Sequence, residues 1–319
     1  MTVDLRKMGF YRGVNLGGWL SQCDYSDQRL DTFITESDIA RIAGWGLDHV
    51  RIPMDYNVLQ AEDGAFLEKG FARVEKALSW CRGHGLNAVL DLHKTAGFSF
   101  DKGEQESGFF ESEKYQERFY QLWQELARRF GGDPEHIAFE LLNEVTEQRF
   151  IGAWNAIAAR CIARIRALAP DTLILVGSYH NNSAAAVPDL DLPADDRVIY
   201  NFHCYDPLPF THQGATWTDA LDPAVRISYA EAAIPANYFE ERFAPALEAA
   251  AARHTTLYCG EYGVIDRATP EDTVRWFRHI HDTFEKYGIS RAAWSYKQMD
   301  FGLSDTRLDG VREELLGLL

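Results

Sequence analysis

A chain of 319 residues with an apolar fraction of 46% can bury one large core, and α/β barrels reach this length as a single domain. Its 32 basic and 48 acidic residues leave a net charge of −16, which disfavours nucleic acid and anionic membranes but not a neutral substrate such as a sugar. No apolar run approaches the roughly 20 residues of a membrane span, so we expect no membrane partner.

The five cysteines are scattered singly, without a CxxC pair. An odd, dispersed count predicts neither a disulfide framework nor a zinc site. The phosphate-binding, zinc-protease and serine-hydrolase motifs are also absent, so we expect no metal and no cofactor. The first seven residues contain no apolar signal core, which predicts a soluble, cytoplasmic protein as written, or a secreted one if a leader has been trimmed.

Short apolar segments alternate with longer amphipathic ones along the whole chain, which is typical of repeated βα units. The predicted strands are Tyr11–Asn15, His49–Met54, Asn87–His93, Ile137–Asn143, Thr172–Gly177, Val198–His203, Thr256–Glu261 and Arg291–Tyr296. The predicted helices are Glu36–Trp45, Phe71–Arg82, Lys114–Phe130, Phe150–Leu168, Ala236–Arg253 and Glu271–Tyr287. The fifth unit has only a weak helical pattern, a short turn near Asn182–Leu190.

Eight βα units predict a (β/α)8 TIM barrel, since a doubly wound sheet rarely needs eight strands. One connection, between the sixth and seventh strands, is longer than a loop and one helix require. We therefore expect a single catalytic domain over residues 1–319 with a site-shaping insertion at roughly 206–235.

Polar residues stand at the carboxyl ends of the predicted strands, where the chemistry of such barrels is located. Each one alone could be structural: an arginine in an ion pair, a histidine in the core, a tryptophan in packing. Together they favour one site at the barrel mouth. They are Arg51, His93, Asn143, Glu144, His203, Tyr205, Glu261 and Trp294.

The two glutamates, Glu144 and Glu261, each end a short apolar strand. Paired carboxyl groups are what glycoside hydrolysis requires: one protonates the leaving oxygen, and in a retaining enzyme the other attacks the anomeric carbon. A nearby cation and a hydroxyl keep such a nucleophile ionised, and Arg51 and Tyr205 suit that role. Asn143 can bond the sugar 2-hydroxyl, Trp294 offers a flat apolar face, and the two histidines can bond hydroxyls or carboxylates.

These motifs resemble glycoside hydrolase family 5, the cellulase A family, and within it the bacterial endoglucanase C type. The resemblance runs over nearly the whole chain, through residues 12–19, 48–53, 137–145, 200–205, 210–213, 257–264 and 294–300. It implies that Glu144 is the acid/base and Glu261 the nucleophile of a retaining enzyme. It also implies that Arg51, His93, Asn143, His203, Tyr205 and Trp294 complete the site, and that the Trp294–Ser295 peptide bond is cis.

Two features depart from the family pattern. Lys94 stands where a second histidine often follows the strand-three histidine, and the insertion after strand six is shorter than in the endoglucanase C type. Aromatic residues are expected to wall the cleft, although each could equally serve packing. These are Phe98, Phe100, Tyr179, Phe210 and Trp217.

The leading hypothesis is a monomeric, retaining endo-β-glucanase acting on β-1,4 or mixed β-1,3/1,4 glucans or on cello-oligosaccharides. An exo-acting β-1,3-glucosidase is the alternative, because Gly13–Trp19 also resembles exoglucanases of the same family. A non-catalytic carbohydrate-binding barrel would have lost one catalytic carboxylate, and both are present. The residues alone indicate a carboxylate hydrolase in a barrel; the β-glucan substrate comes from the resemblance.

Overall fold

Eight parallel strands close into a barrel, β1 pairing with both β2 and β8, in the computed structural model, which describes residues 2–101 and 103–319. The predicted TIM barrel is thus confirmed. The strands are β1 Arg12–Asn15, β2 His49–Asp55, β3 Asn87–Lys94, β4 Ile137–Glu140, β5 Leu173–Gly177, β6 Val198–Cys204, β7 Leu257–Tyr262 and β8 Ser290–Ala293.

Helices cover the outside of the barrel. The helices are α1 Asp27–Thr32, α2 Glu36–Gly44, α3 Tyr56–Leu59, α4 Glu68–Gly83, α5 Glu113–Phe130, α6 Ile151–Arg166, α7 Tyr179–Asn182, α8 Leu208–Thr211, α9 Tyr238–Ala252, α10 Pro270–Tyr287 and α11 Arg312–Leu316. Three 3₁₀ turns, Gln148–Phe150, Ala184–Asp189 and Thr306–Leu308, complete the set. In the described part of the chain, no helix has both the length and the apolar character that a membrane crossing requires.

The fifth βα unit carries no full helix, as the weak pattern predicted. Its connection consists of α7, a turn with left-handed backbone, and the 3₁₀ turn Ala184–Asp189. The φ angles of His180 and Asn181 are +51° and +56°, values that asparagine tolerates better than most residues. This turn lies at the mouth of the barrel, where Asn181 becomes a site residue.

The barrel interior is apolar at one end and polar at the other. Its apolar end is filled by Leu5, Phe10, Val89, Ala138, Leu173, Leu175, Ile199, Tyr258 and Ala292. Side chains alternate across a strand, so the next inward positions on β3, β4 and β6 are two residues further on. Those positions hold Asp91, Glu140 and Asn201, each fully buried. The core thus changes from hydrocarbon to a polar layer just below the carboxyl ends of the strands.

Two strands end earlier than predicted, and in both cases the chain bends and places a site residue at the mouth of the barrel. β4 stops at Glu140 rather than Asn143, and the chain then bends so that Asn143 N donates to Leu92 O at 3.0 Å. β8 stops at Ala293, and Trp294 N donates to Tyr262 O at 2.8 Å. The Trp294–Ser295 peptide bond is cis, as the resemblance predicted.

Replacing glycine by alanine is expected to change the free energy of unfolding in opposite directions at the ends of α4 and α10. Gly288 ends α10 with φ +65°, whereas Gly83 is the last helical residue of α4, and a Cβ at either would meet no atom within 4 Å. Gly288→Ala should lower the free energy of unfolding by about 1–2 kcal/mol, because L-residues are strained in the left-handed region. Gly83→Ala should raise it by up to about 1 kcal/mol through the lower entropy of the unfolded chain. Denaturant unfolding of both variants measures this, and equal effects of one sign would contradict it.

Candidate active site

Arg51 on β2 is the centre of the polar layer. Its side chain is fully buried, and its Nε and Nη2 donate to the two carboxylate oxygens of Glu140 at 2.7 and 2.8 Å. Nη1 donates to Glu261 Oε1 at 2.8 Å, and Nη2 lies 3.0 Å from Asp91 Oδ2. Burial opposes the charged guanidinium, but the surrounding carboxylates outweigh it and raise the pKa of Arg51 well above its usual value. One permanent cation therefore serves three buried carboxyl groups.

Two asparagines share the remaining hydrogen-bonding capacity of this guanidinium. Asn15 Oδ1 accepts from Nη1 at 2.9 Å, and Asn143 Oδ1 accepts from Nη2 at 2.8 Å. Asn15 Nδ2 in turn donates to the Gly260 carbonyl at 2.9 Å. Asn143 Nδ2 is buried and has no hydrogen-bond partner among the described residues. A buried donor without a partner is costly, so this amide is well placed to donate to a bound sugar hydroxyl.

Glu261, at the end of β7, accepts hydrogen bonds on both oxygens. Besides the bond from Arg51, its Oε2 accepts from the Tyr205 hydroxyl at 2.8 Å. Burial and the adjacent carboxylates, first of all Glu261, raise the pKa of Tyr205 well above its usual value, so the phenol stays a donor. Glu261 is thereby held in one orientation by a cation and a hydroxyl.

Glu144 stands in different surroundings, with no cation in direct contact. Its Oε1 lies 2.8 Å from His203 Nδ1, and its Oε2 accepts from Asn181 Nδ2 at 2.9 Å. The backbone of Glu144 has φ +45°, an uncommon value that is typical of strained functional positions. Burial raises its pKa, and the hydrogen bond from Asn181 only partly offsets this. The group therefore retains a proton to higher pH than an ordinary glutamate.

His203 on β6 contributes no positive charge at neutral pH. Burial lowers the pKa of its imidazole to about 4, against the influence of Glu261. Its Nε2 lies 3.3 Å from Asn182 Nδ2. A neutral ring that accepts there carries its proton on Nδ1 and donates it to Glu144. His203 can therefore orient Glu144 without the pKa-lowering effect of a neighbouring cation.

The two glutamates lie close together. One carboxylate oxygen of Glu144, one of Glu261 and a ring nitrogen of His203 all lie within 4.8 Å of one another. Retaining glycosidases hold their carboxyl groups about 5–5.5 Å apart, and inverting ones about 6.5–9.5 Å. The same three groups are near enough to ligate a metal ion, but His203 Nδ1 already faces Glu144 at 2.8 Å. The expectation of no cofactor stays a prediction.

His93 and Trp294 form a paired aromatic surface at the mouth. Their rings are parallel within 2° and 5.8 Å apart between centroids. His93 Nδ1 lies 2.6 Å from Asp91 Oδ2, and the edge of Phe100 meets the His93 ring at 4.9 Å. Burial lowers the pKa of His93, so this ring too is neutral. The eight residues expected at the mouth are thus brought together; their individual roles stay predictions.

Of the two residues expected to bind substrate from the insertion, only Trp217 can do so. Trp217 is 52% exposed, and its ring lies 6.2 Å from that of His212, which packs against Tyr205. Phe210 is wrong as a sugar-binding residue. It is fully buried as part of the main hydrophobic core, and the ring of Tyr229 from the insertion packs on it at 5.6 Å between centroids.

Several site residues were not selected from the sequence. Asn15, Glu140 and Asn201 lie in the polar layer: Asn201 Nδ2 donates to Glu140 Oε1 at 2.8 Å, and its Oδ1 accepts from Gly260 N at 2.9 Å. The sequence did contain a signal for these three: each is a charged or amide residue at an inward position of an apolar strand, where a polar side chain needs a partner. Asn181, which bonds Glu144, had no such signal because it belongs to a turn.

Two closely spaced carboxyl groups with unlike surroundings, at the mouth of a (β/α)8 barrel, define the class as a retaining glycoside hydrolase. A model of the cellulase family, glycosyl hydrolase family 5, matches residues 10–300. The chain therefore belongs to glycoside hydrolase family 5, which confirms the resemblance drawn from the sequence.

Individual relatives agree with this assignment. The chain is 57% identical over 287 residues to cellodextrinase A of Ruminococcus flavefaciens, covering 90% of this chain and 85% of the relative. It is 35% identical over 344 aligned residues to endoglucanase C of Acetivibrio thermocellus, with 98% of each covered. The fold is shared with endoglucanase Cel5A of Thermotoga maritima, at a TM-score of 0.83 and 24% identity over 100% of both chains.

Asp91 supplies a test of the polar layer through the pH dependence of stability. Burial raises its pKa to about 7, and Arg51 only partly counteracts this. Between about pH 4 and pH 7 the folded protein binds a proton that the unfolded chain, with a pKa near 4, has released. The stabilising contribution of this proton to the free energy of unfolding is therefore fully present below about pH 4 and is lost as the pH rises through 7. The loss is at most about 1.4 kcal/mol per pH unit.

Asp91→Asn removes this titration while keeping the shape of the side chain. The free energy of unfolding of the wild type relative to the variant should therefore fall between about pH 4 and pH 7. Denaturant unfolding at a series of pH values measures the difference. A difference that is constant or grows across this range would show that Asp91 is ionised throughout.

Proposed function

We propose that this protein is a retaining endo-β-1,4-glucanase that cleaves cello-oligosaccharides and soluble β-glucan chains by double displacement. The observation that carries the proposal is the pair Glu144 and Glu261, with carboxyl oxygens within 4.8 Å and opposite electrostatic surroundings. The names of the relatives, a cellodextrinase and an endoglucanase, support a β-1,4-glucan as substrate.

The first displacement uses the two glutamates together. Glu261, oriented by Arg51 and Tyr205, attacks the anomeric carbon and forms a glycosyl ester, while the bond to the leaving oxygen breaks. Glu144 gives its proton to that oxygen, so the departing sugar leaves as an alcohol rather than an alkoxide. Its raised pKa favours the protonated form that this step requires.

The second displacement reverses the role of Glu144. Now ionised, it takes a proton from water, whose oxygen attacks the anomeric carbon and releases Glu261 as a carboxylate. Two inversions leave the product with the β configuration of the substrate. The free amide of Asn143 donates to the 2-hydroxyl of the reacting sugar, and Trp294 supports its ring.

The insertion contributes to the cleft through Trp217, which we propose contacts the sugar on the leaving-group side. It is the exposed aromatic residue of this segment that connects through His212 to Tyr205. We further propose that the enzyme acts as a monomer, since one chain supplies every residue used in the two displacements. No observation favours the alternative of an exo-acting β-1,3-glucosidase.

The roles of the two glutamates can be separated by leaving group. Glu144→Ala should slow hydrolysis of cello-oligosaccharides by roughly 10²- to 10⁴-fold, because an alkoxide leaves badly without a proton donor. Formation of the glycosyl-enzyme from an aryl cellobioside should suffer much less, and azide should restore turnover as a β-glycosyl azide. Glu261→Ala should abolish both activities, at a cost of about 4 kcal/mol or more, and azide should then give only an α-product. Kinetics and product NMR measure these effects.

Glu147→Ala is the matched control, because Glu147 is an exposed glutamate three positions beyond Glu144 and should be dispensable. Equal losses for Glu144→Ala and Glu261→Ala on both substrates would remove the division of roles. An α-azide from Glu144→Ala would require the roles to be exchanged.

A further inference from the structure

Four polar side chains form a connected group beside the active site, here called the latch: Tyr25, Asp55, Lys94 and Glu104. Lys94, at the end of β3, has a side chain only 9% exposed, and its Nζ lies 2.8 Å from Glu104 Oε2 and 3.1 Å from the Tyr25 hydroxyl. That hydroxyl donates to Asp55 Oδ2 at 2.6 Å. The latch thus joins the loop after β1, the end of β2, the end of β3 and the loop after β3.

The charge of Lys94 explains why the group holds together. A nearly buried ammonium is unfavourable unless carboxylates compensate it. Asp55 is the strand neighbour of Lys94 on β2, and its carboxylate is linked to the ammonium through the Tyr25 hydroxyl, whereas Glu104 contacts the ammonium directly. Glu104 belongs to the exposed loop after β3. The ion pair with Lys94 therefore holds this loop against the barrel mouth.

A second acidic residue fixes the same loop. Glu106 Oε1 accepts from the Tyr56 hydroxyl at 2.6 Å, and its Oε2 accepts from Gly97 N at 2.8 Å. Phe100 precedes both glutamates in the same loop, and its ring meets that of His93 at 4.9 Å between centroids. The loop after β3 thus stands directly beside the sugar-facing surface of the active site.

The position of Glu144, the proposed proton donor, indicates whether this loop borders the leaving-group side or the retained-sugar side of the cleft. Glu144 is held by Asn181, which follows β5, and by His203 on β6. The leaving group must lie within reach of Glu144, hence on the β5–β6 side. The retained sugar stacks at Trp294, after β8, and the rest of its chain extends over β1 to β3, because β8 neighbours β1 in the closed barrel.

We propose that the latch closes the glycone end of the cleft and limits how many glucose units bind on the non-reducing side of the cleaved bond. This inference rests on the proposed β-1,4-glucanase activity and deepens it, because it assigns chain-length selection to Lys94 and Glu104. Lys94 is a specificity-determining residue in this account, at the position where the family resemblance led us to expect a histidine. The enzyme then favours short cello-oligosaccharides over polymer.

The test uses cello-oligosaccharides from cellotriose to cellohexaose, labelled with oxygen-18 at the reducing end, and reads the cleaved bond by mass spectrometry. In the wild type the longest fragment from the non-reducing side should be the same short oligosaccharide for every long substrate. In Glu104→Gln and Lys94→Met this fragment should lengthen by at least one glucose unit. The ratio of kcat/KM for cellohexaose to that for cellotriose should rise severalfold.

A remote pair of the same type provides the control. Lys286 and Glu240 pair at 2.6 Å on α10 and α9, and Lys286→Met and Glu240→Gln should leave the fragment pattern unchanged. Glu104 lies on an exposed loop, so Glu104→Gln tests the inference even if Lys94→Met is unstable. Wild-type fragments from a folded Glu104→Gln enzyme would overturn the latch alone. Absence of any cello-oligosaccharide hydrolysis by the wild type would overturn the proposed function, and the latch with it.

Discussion

The pairing of Arg51 with three buried carboxyl groups is the interaction on which the rest of the site depends. Glu140 takes two of its hydrogen bonds, Glu261 takes one, and Asp91 lies 3.0 Å away. Removing one partner of such a buried network leaves uncompensated charge, which costs several kcal/mol. The network therefore stabilises the barrel mouth only as a complete unit, and this unit holds Glu261 in place at the mouth.

The electrostatic surroundings of Glu144 and Glu261 differ because, of the two, Arg51 contacts only Glu261. Glu261 touches Arg51 and Tyr205, whereas Glu144 touches a neutral histidine and an amide. Burial without a cation in direct contact raises the pKa of Glu144, while His203 stays uncharged because it is buried as well. Two chemically identical side chains within 4.8 Å thereby acquire the unlike surroundings that the proposed acid and nucleophile roles require.

Much of this arrangement could be predicted from the sequence, because it depends on alternation along strands. Arg51 was visible as a charge within an apolar strand, and all eight strands were located within a few residues of their observed bounds. The largest errors at a carboxyl end were at β4 and β8, which stop at Glu140 and Ala293 rather than Asn143 and Tyr296, because bends depend on contacts with neighbouring strands. Phe210 was predicted wrongly because composition does not tell which side of the short helix α8 faces the core. Asn181 was not predicted as a site residue, because a left-handed turn has no periodic pattern of apolar residues in the sequence.

The most direct test of this account is to identify the residue that becomes covalently attached to the sugar. An aryl 2-deoxy-2-fluoro-β-cellobioside slows release of the glycosyl-enzyme, so the intermediate accumulates and can be digested and sequenced by mass spectrometry. The account predicts a single fluorocellobiosyl group on Glu261, with activity recovered as the ester turns over. Labelling of Glu144, or turnover of the parent glycoside without any covalent intermediate on Glu261, would contradict it.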